Sequence, residues 1–423
     1  MRIALTTLGC KINQFETDVL RQELETQGNT IVPFQDDADV YVINTCSVTA
    51  RSDHQCRQMI RTAVRRGKGS KVVVTGCYAE TRPAEIRSIP GVDQVIGNRD
   101  KGTIAATIMS MGPPAQAAAM TADTTSRAVN TKTRGFLKIQ DGCDNQCTYC
   151  IVPLARGRSR SVLPGDVVRE FERKVQEGVS EVVLTGIHIG RYGADLEMPS
   201  SLTELVQGLL SRRAQARIRI SSIEPQEITD GLTALIGHGL CRHLHIPLQS
   251  GDDAILSSMN RNYTSGFYRK LIFRLADLVP QLAIGADVMV GFPGEGDAEF
   301  QNTVKLIEQA PLTHLHVFSY SPRPGTSAAD MRVQVPETVI KERREVLRRL
   351  GREKNHLFRH KCLGSEFNVI VEDKIDKHTG QWTGLTDNYI RMQIKGLSDG
   401  QIGKEVRVLF NDIDNDANFA IIK

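Results

Sequence analysis

The sequence predicts an α/β protein in three parts. They are an amino-terminal open parallel α/β domain over residues 1–115, a partial barrel of six β/α units over 134–350, and a small carboxy-terminal β-barrel over 355–423. Three observations predict this. Apolar β-rich runs alternate with helical patterns through the first two parts, as in parallel sheets. From Glu366 the pattern changes to short strands separated by turns such as Thr379-Gly380 and Asp399-Gly400, as in a small barrel. Between the first two parts the chain is rich in Ala, Thr, Gly and Pro without periodicity, so 116–133 reads as a linker.

In the first part the strands are Ile3–Leu8, Val40–Asn44 and Val72–Thr75, and helical patterns follow over Phe15–Gln27, Ser52–Arg66 and Pro83–Ile89. The continuous apolar character of the strands fits burial on both faces. Each strand runs into a cysteine: Leu8-Gly9-Cys10, Asn44-Thr45-Cys46 and Gly76-Cys77. Parallel strands present their carboxyl ends on one edge, where α/β proteins bind ligands. Cysteines separated by 36 and 31 positions are therefore expected to meet in space as a ligand trio. A single cysteine at a strand end is ordinarily a small buried hydrophobe; three at equivalent ends favour ligation. Cys56, Cys241 and Cys362 have no such partners in sequence and read as structural.

In the second part six strands are expected: Phe136–Ile139, Val182–Thr185, Ile218–Ser221, Leu244–Leu248, Ile284–Val290 and His314–Tyr320. The helical patterns between them are Pro164–Gln176, Leu202–Arg212, Pro225–Ile236, Thr264–Leu278 and Asp297–Gln309. Pro164, Ser201 and Glu224-Pro225 supply helix starts, and Gly178 and Gly237 supply stops. In such a barrel the active residues lie on loops at the carboxyl ends of the strands. Those ends carry Thr185-Gly186-Ile187-His188-Ile189-Gly190, Ser221-Ser222-Ile223-Glu224, Pro247-Leu248-Gln249-Ser250-Gly251 and Asp287 to Gly294. With the loop after the first strand these make five polar strand ends, which suggest a lined pocket, whereas His188, His243 and His245 read as packing or hydrogen-bonding groups.

The first of these loops holds the most informative stretch, Gly142-Cys143-Asp144-Asn145-Gln146-Cys147-Thr148-Tyr149-Cys150. Thiolates in a Cys-x3-Cys-x2-Cys spacing converge on one soft metal centre. Three cysteines leave one iron of a four-iron cluster without a protein ligand, and an open iron can bind a substrate. The spacing alone also admits a zinc site with a distant fourth ligand, or a redox pair. The preceding strand and Tyr149 favour iron–sulfur. Arg156, Arg158 and Arg160 follow as a local basic strip, read either as a solvated face or as an anchor for an anion.

The third part follows a charged connecting helix, Glu337–Phe358, and offers Phe367–Val371, Gln381–Thr383, Tyr389–Ile394, Glu405–Leu409 and Phe419–Ile422 as strands. Trp382 and Tyr389 are either base-stacking platforms or core aromatics, with Trp382 read as core.

Composition bounds the rest. A chain of 423 residues accommodates about two to four domains. Its 40% hydrophobic and 24% charged content is that of a folded chain. The formal charge, 53 − 49 = +4, permits a nucleic-acid partner without demanding one. Nine cysteines occur without a secretory leader or a run of about 18 apolar residues, so a reducing cytosol and no membrane span are expected.

The Cys143/Cys147/Cys150 spacing resembles the signature of radical S-adenosylmethionine (SAM) enzymes, in which the open iron chelates SAM and cleaves it to a 5′-deoxyadenosyl radical. Taken in order, nearly the whole chain resembles the radical SAM methylthiotransferase family. Thr7-Leu8-Gly9-Cys10-Lys11-Ile12-Asn13, Asn44-Thr45-Cys46-Ser47-Val48-Thr49, Leu184-Thr185-Gly186-Ile187-His188 and Arg217–Pro225 look most like the branch acting on N6-threonylcarbamoyladenosine in tRNA. The isopentenyladenosine branch usually has Gln-Met, and the branch modifying a ribosomal-protein aspartate Pro-Lys, where this chain has Lys11-Ile12.

The resemblance implies two [4Fe-4S] clusters, one on Cys143, Cys147 and Cys150 and one on Cys10, Cys46 and Cys77. The first would generate the radical that abstracts hydrogen from C2 of the adenine. The second would deliver the methylthio group, with its methyl drawn from a second SAM. Candidate SAM contacts are Tyr149, Thr185, Gly186, Ser221, Glu224, Gln249 and Phe292, while Arg261 is a candidate partner for a carboxylate of SAM or of the threonyl group. Implied partners are the tRNA anticodon stem-loop, bound in part by a carboxy-terminal TRAM domain, an electron donor such as flavodoxin or ferredoxin, and a sulfur donor. The rival readings are the two sister substrates and a non-catalytic iron–sulfur RNA-binding sensor.

Overall fold

The computed structural model describes the chain except for residues 68, 112–132, 213–215 and 415–416. The linker expected over 116–133 lies, but for Thr133, outside the described residues. The chain divides into two compact units. One comprises Met1–Val129, Asp141–Arg158 and Ser321–Ala329; the other comprises Asn130–Gln140, Ser159–Tyr320 and Asp330–Lys423.

The first unit is built on a parallel sheet of β1 (Arg2–Thr7), β2 (Thr30–Val32), β3 (Val40–Thr45), β4 (Lys71–Gly76) and β5 (Gln94–Ile96), in the order β2-β1-β3-β4-β5. Alternate strand residues face opposite helical layers. Ile3, Leu5, Val40, Val42 and Val73 bury against Leu20 and Leu24 of α1 (Lys11–Thr26) and Ile104 and Ile108 of α5 (Ile104–Met111). Ala4, Tyr41, Ile43 and Val74 bury against Ile60 and Ala63 of α2 (Ala50–Arg66), Tyr78 of α3 (Cys77–Thr81) and Ile86 of α4 (Pro83–Arg87). Truncating a fully buried core residue such as Ile60 to Ala should cost about 2–5 kcal/mol. The short edge strands β2 and β5 are not marked in the sequence, because three residues are too few to show a period. The first helix begins at Lys11 rather than Phe15, directly after Cys10. Helix α6 (Val152–Arg156) follows the Cys143–Cys150 loop within this unit.

The second unit holds six parallel strands: β6 (Arg134–Lys138), β7 (Glu181–Thr185), β8 (Arg217–Ile220), β9 (His243–His245), β10 (Ala283–Val290) and β11 (His314–Ser319). They form two three-stranded sheets, β8-β7-β6 and β9-β10-β11. Bridges at Ile218–Leu240 and Ser222–His245 join the two sheets, giving the expected six-strand partial barrel. Helices α7 (Pro164–Gln176), α8 (Leu202–Leu210), α9 (Asp230–Leu235), α10 (Asp253–Ser258), α11 (Ser265–Leu278) and α12 (Asp297–Gln309) cover it. Phe171, Val206, Leu209 and Leu275 of these helices bury against Val182, Leu184, Ile218 and Ile284. Helix α9 is shorter than expected because the Thr229 hydroxyl accepts from Leu232 N and restarts the helix, leaving Pro225–Glu227 as a 3-10 turn.

Helix α13 (Glu337–Cys362) leads to a closed barrel of β12 (Glu366–Ile375), β13 (Trp382–Thr386), β14 (Arg391–Lys395), β15 (Glu405–Asp414) and β16 (Ala417–Ile422), in the order β12-β13-β14-β16-β15. Phe367, Val369, Met392, Val408 and Phe410 fill it, with Trp382 packed at its margin. A buried ionic cluster docks it on the amino edge of β7 and β8. Glu181 accepts from Arg219 Nε at 2.9 Å, Arg217 Nε at 2.8 Å and Arg134 Nε at 2.7 Å. Arg217 also donates to the Leu385 carbonyl at 2.8 Å, and Arg219 to the Thr386 carbonyl at 3.1 Å and the Asp387 carbonyl at 3.0 Å. No helix among the described residues is long and apolar enough to cross a membrane.

Candidate active site

The adjacency of β1, β3 and β4 places Cys10, Cys46 and Cys77 on one edge of the sheet. Cys10 immediately precedes α1, and Cys77 opens α3. Gly9 shows how closely the first two loops approach. At φ +111°, a Cβ there would stand 2.7 Å from the Cβ and 3.1 Å from the sulfur of Cys46. Asn13 binds both loops, donating to the Leu8 carbonyl at 2.8 Å and the Thr45 carbonyl at 3.0 Å, and its Oδ1 lies 3.8 Å from Cys10 Sγ. Asn98 Nδ2 lies 3.6 Å from Cys77 Sγ.

Burial pushes the Cys46 thiol up to about 11, and the neighbouring Cys77 and Cys10 sulfurs add to the rise despite a backbone hydrogen bond at Val48. A buried thiol set beside two further cysteine sulfurs fits a site meant for a cation, because metal ligation requires thiolates. Cys56 behaves differently. It is fully buried, donates to the Cys46 carbonyl at 3.3 Å, and is pushed by burial up to about 12. It supports the Cys46 backbone as a neutral thiol.

The second trio lies in the same unit. Cys143, Cys147 and Cys150 are half-buried on a loop whose entry is pinned by Gly142, where φ is +73° and a Cβ would stand 1.9 Å from the Arg158 carbonyl oxygen. The Cys143 amide donates to the Gly157 carbonyl at 3.1 Å, and the Cys150 amide to the Cys147 carbonyl at 3.0 Å. The Asn145 amide points at Cys143 Sγ at 3.4 Å. The Thr148 carbonyl receives the Ala328 amide at 2.8 Å, while Arg323 pairs with Asp53 and donates to Ser47, next to Cys46, at 3.1 Å. Segment Ser321–Ala329 thus ties the two cysteine loops together. Among the described residues no three His, Cys, Asp or Glu groups could hold a single metal ion. In a four-iron cluster each cysteine ligates a different iron, so its thiolates stand farther apart than those around one ion.

The arginine strip is divided. Arg158 and Arg160 are exposed, but Arg156 is buried and donates to Asn13 Oδ1 at 2.6 Å, Asp141 Oδ1 at 2.9 Å and Glu16 Oε1 at 3.0 Å. The helical turn of α6 faces it inward, so the three arginines do not form one surface.

In the second unit the strand ends carry Thr185, Ser221, Gln249 and Tyr320, and the oxygens Ser221 Oγ, Gln249 Oε1 and Tyr320 OH are buried without a hydrogen-bond partner among the described residues. Buried polar groups are normally satisfied, so three orphaned oxygens at three strand ends fit a polar ligand. Gln249 also has a left-handed backbone, φ +59°, held by its amide to the Asp287 carbonyl at 2.8 Å. Gly186 abuts Gln140, whose Oε1 would lie 3.0 Å from a Cβ there. Phe292 is fully buried, edge-to-face with Tyr320 at 5.7 Å. Arg261 and Glu224, expected to face a ligand, pair with each other; burial raises the Glu224 carboxyl despite that pairing.

His243 and His245, expected as packing or hydrogen-bonding groups, belong to a larger polar grouping. His243 and His245 on β9 and His314 and His316 on β11 share one face with Asp287 of β10. Asp287 Oδ1 lies 2.9 Å from His316 Nδ1 and 3.1 Å from His245 Nε2. Burial lowers His314 to about 4, with His245 adding to the effect. Tyr389 stacks on His243 at 4.3 Å between ring centres, so one of its faces is occupied within the fold. The paired His-Leu-His segments at alternate positions were the available signal. A cavity of about 640 Å³ lies on the opposite, amino edge, lined by Arg217, Arg242, Asp387 and Arg407 and by none of the expected cofactor residues.

Comparison with known proteins defines the class first. The description "Uncharacterized protein family UPF0004" matches residues 2–97, which contain Cys10, Cys46 and Cys77, and "Radical SAM superfamily" matches 137–307, which contain Cys143, Cys147 and Cys150. The chain is therefore a radical SAM protein with an added amino-terminal thiol-bearing domain. It is 40% identical to the threonylcarbamoyladenosine tRNA methylthiotransferase MtaB of Bacillus subtilis, over 96% of this chain and 93% of that protein. It is 32% identical to the tRNA-2-methylthio-N(6)-dimethylallyladenosine synthase of Novosphingobium aromaticivorans, over 95% and 93%. The radical S-adenosylmethionine methyltransferase TsrM of Kitasatospora setae shares the fold, with a TM-score of 0.57 at 16% identity over 78% of this chain and 77% of that one. The chain belongs to the radical SAM methylthiotransferase family, in its threonylcarbamoyladenosine tRNA branch.

Proposed function

We propose that this protein transfers a methylthio group to C2 of N6-threonylcarbamoyladenosine beside the tRNA anticodon, using SAM and two [4Fe-4S] clusters. The observation that carries the reading is the gathering of two three-thiol groups, Cys10/Cys46/Cys77 and Cys143/Cys147/Cys150, into one compact unit. When bound, the clusters and SAM supply the radical and sulfur chemistry that an inert aromatic C–H bond requires.

The chain's own residues hold and orient. The six thiolates ligate. Ser221 Oγ and Gln249 Oε1 offer hydrogen bonds to SAM beside Thr185 and Gly186, and Tyr149 remains a candidate SAM contact by its place in the cysteine loop. Phe292 excludes water from the strand ends. Arg261, oriented by Glu224, remains the candidate partner of a ligand carboxylate. In this reading residues 1–115 form the sulfur-delivery domain, 134–350 the radical SAM barrel and 355–423 the TRAM-type RNA-binding barrel. A flavodoxin- or ferredoxin-type electron donor and a sulfur donor complete the system, in the cytoplasm.

The higher identity to the threonylcarbamoyladenosine enzyme favours that substrate over the dimethylallyl one. The test is an anaerobic reaction of reconstituted protein with SAM, dithionite and anticodon stem-loops bearing either nucleoside, followed by mass spectrometry. Replacement of one hydrogen by methylthio on the threonylcarbamoyl nucleoside alone is expected. Modification of only the isopentenyl nucleoside would reassign the substrate, and no 5′-deoxyadenosine from SAM would favour the sensor reading.

A further inference from the structure

We propose that Arg156 is the fixed counter-charge of the Cys10/Cys46/Cys77 site, a positioning residue that sets the reduction potential of the cluster held there. The inference rests on the two-cluster reading above. Arg156 lies on α6, just beyond the Cys143–Cys150 loop, and besides Asp141 at that loop's entry it contacts the supports of the other trio. One guanidinium nitrogen donates to Asn13 Oδ1 at 2.6 Å, and Asn13 in turn braces the Leu8 and Thr45 carbonyls beside Cys10 and Cys46. The neighbouring Ala155 carbonyl accepts from Asn98 Nδ2 at 2.7 Å, and that nitrogen also lies 3.6 Å from Cys77 Sγ. Two asparagines therefore link α6 to all three thiol-bearing strand ends.

The charges are arranged for a task beyond packing. Burial works against the Arg156 charge; the Cys77 sulfur is the largest opposing influence, ahead of Glu16 and Asp141, and the guanidinium stays protonated. Glu16 and Asp141 fix its plane, and Lys101, also paired with Glu16, offsets one of those carboxylates. The guanidinium engages these acceptors through a rigid planar fork, a geometry that the point charge of an ammonium does not reproduce. A buried positive charge beside a cluster favours its reduced, more negative state, so its loss makes reduction harder.

The test uses full-length, anaerobically reconstituted protein in which Cys143, Cys147 and Cys150 are replaced by Ala, leaving the amino-terminal cluster as the only one. Its potential is titrated by electron paramagnetic resonance. R156Q is expected to lower the reduced-to-oxidised ratio at a fixed potential about tenfold, which is about 59 mV for a one-electron couple. R156K is expected to restore most of that ratio, and E16Q to shift it in the opposite direction. Ratios within about threefold of the parent for both R156Q and E16Q would overturn the proposal. If R156Q does not load iron, E16Q decides alone, and an unmoved potential overturns it. A parent protein without any cluster would instead overturn the two-site reading, and this inference with it.

Discussion

Glu181 is the place where one atom group holds two parts of the second unit together. It is fully buried at the start of β7, and both of its oxygens accept from guanidiniums at 2.7–2.9 Å. Burial alone would raise its carboxyl, but Arg219, Arg217 and Arg134 hold it well below the ordinary carboxylate range. Replacing Glu181 by Ala leaves Arg217 and Arg219 buried around a missing anion, whereas Arg134, 23% exposed, can turn to water. Removing one member of a buried pair costs about 3–5 kcal/mol. With a urea slope of about 2 kcal/mol per molar, the midpoint should fall by about 2 M.

The assay is urea unfolding followed by two probes: far-ultraviolet circular dichroism for the whole chain, and the fluorescence of Trp382, the sole tryptophan, for the small barrel. We expect the two transitions to separate, because the guanidiniums that Glu181 orients also hold the Leu385, Thr386 and Asp387 carbonyls. Coincident transitions displaced by less than about 1 kcal/mol would refute the docking argument.

Three further outcomes follow from single sites. G9A should displace Cys46 and abolish iron at the amino-terminal trio while leaving SAM cleavage to 5′-deoxyadenosine intact; retention of full iron would contradict the close approach seen at Gly9. S221A should leave apo-protein stability unchanged or raise it by up to about 1 kcal/mol, since it removes an unsatisfied oxygen. It should also weaken SAM binding about tenfold by equilibrium dialysis, and an unchanged affinity would exclude Ser221 from the cofactor. Asp287 is pushed up by burial, but hydrogen bonds from His245 and then His316 outweigh this and depress it. Its stabilisation is therefore complete above the ordinary carboxylate pKa and lost as pH falls through the depressed value. His316, raised by the same contact, contributes below its ordinary pKa and loses that as pH rises through its folded value. D287N should lower the melting temperature at pH 6 and flatten its acid-side decline; an unaltered profile would remove the His245–Asp287–His316 pairing.

The fold was legible wherever periodicity was long. Five of the six barrel strands and the long helices are marked by apolar runs and start signals, whereas the fourth, expected over Leu244–Leu248, is only His243–His245. β2, β5 and α10 did not, because three to six residues carry too little pattern to distinguish strand or helix from loop. Strand-end cysteines were legible because parallel topology alone decides which residues share an edge. The fate of polar side chains was not. Arg156 and Arg158 look equivalent in sequence, and only the inward turn of α6 separates a buried cation from a solvated one. Arg261 and Glu224, 37 positions apart, satisfy each other, a pairing that needs the tertiary fold. The polar face around Asp287 depends on the alternation of each His-Leu-His, which puts both rings on one side, and on the pairing of strands distant in sequence.

The most direct measurement is the iron content of anaerobically reconstituted protein and of two triple variants, one lacking Cys10, Cys46 and Cys77 and the other lacking Cys143, Cys147 and Cys150. Two open four-iron sites predict about eight irons per chain in the parent and about four in each variant. About four irons in the parent, unaffected by loss of Cys10, Cys46 and Cys77, would contradict the amino-terminal site and the sulfur delivery built on it.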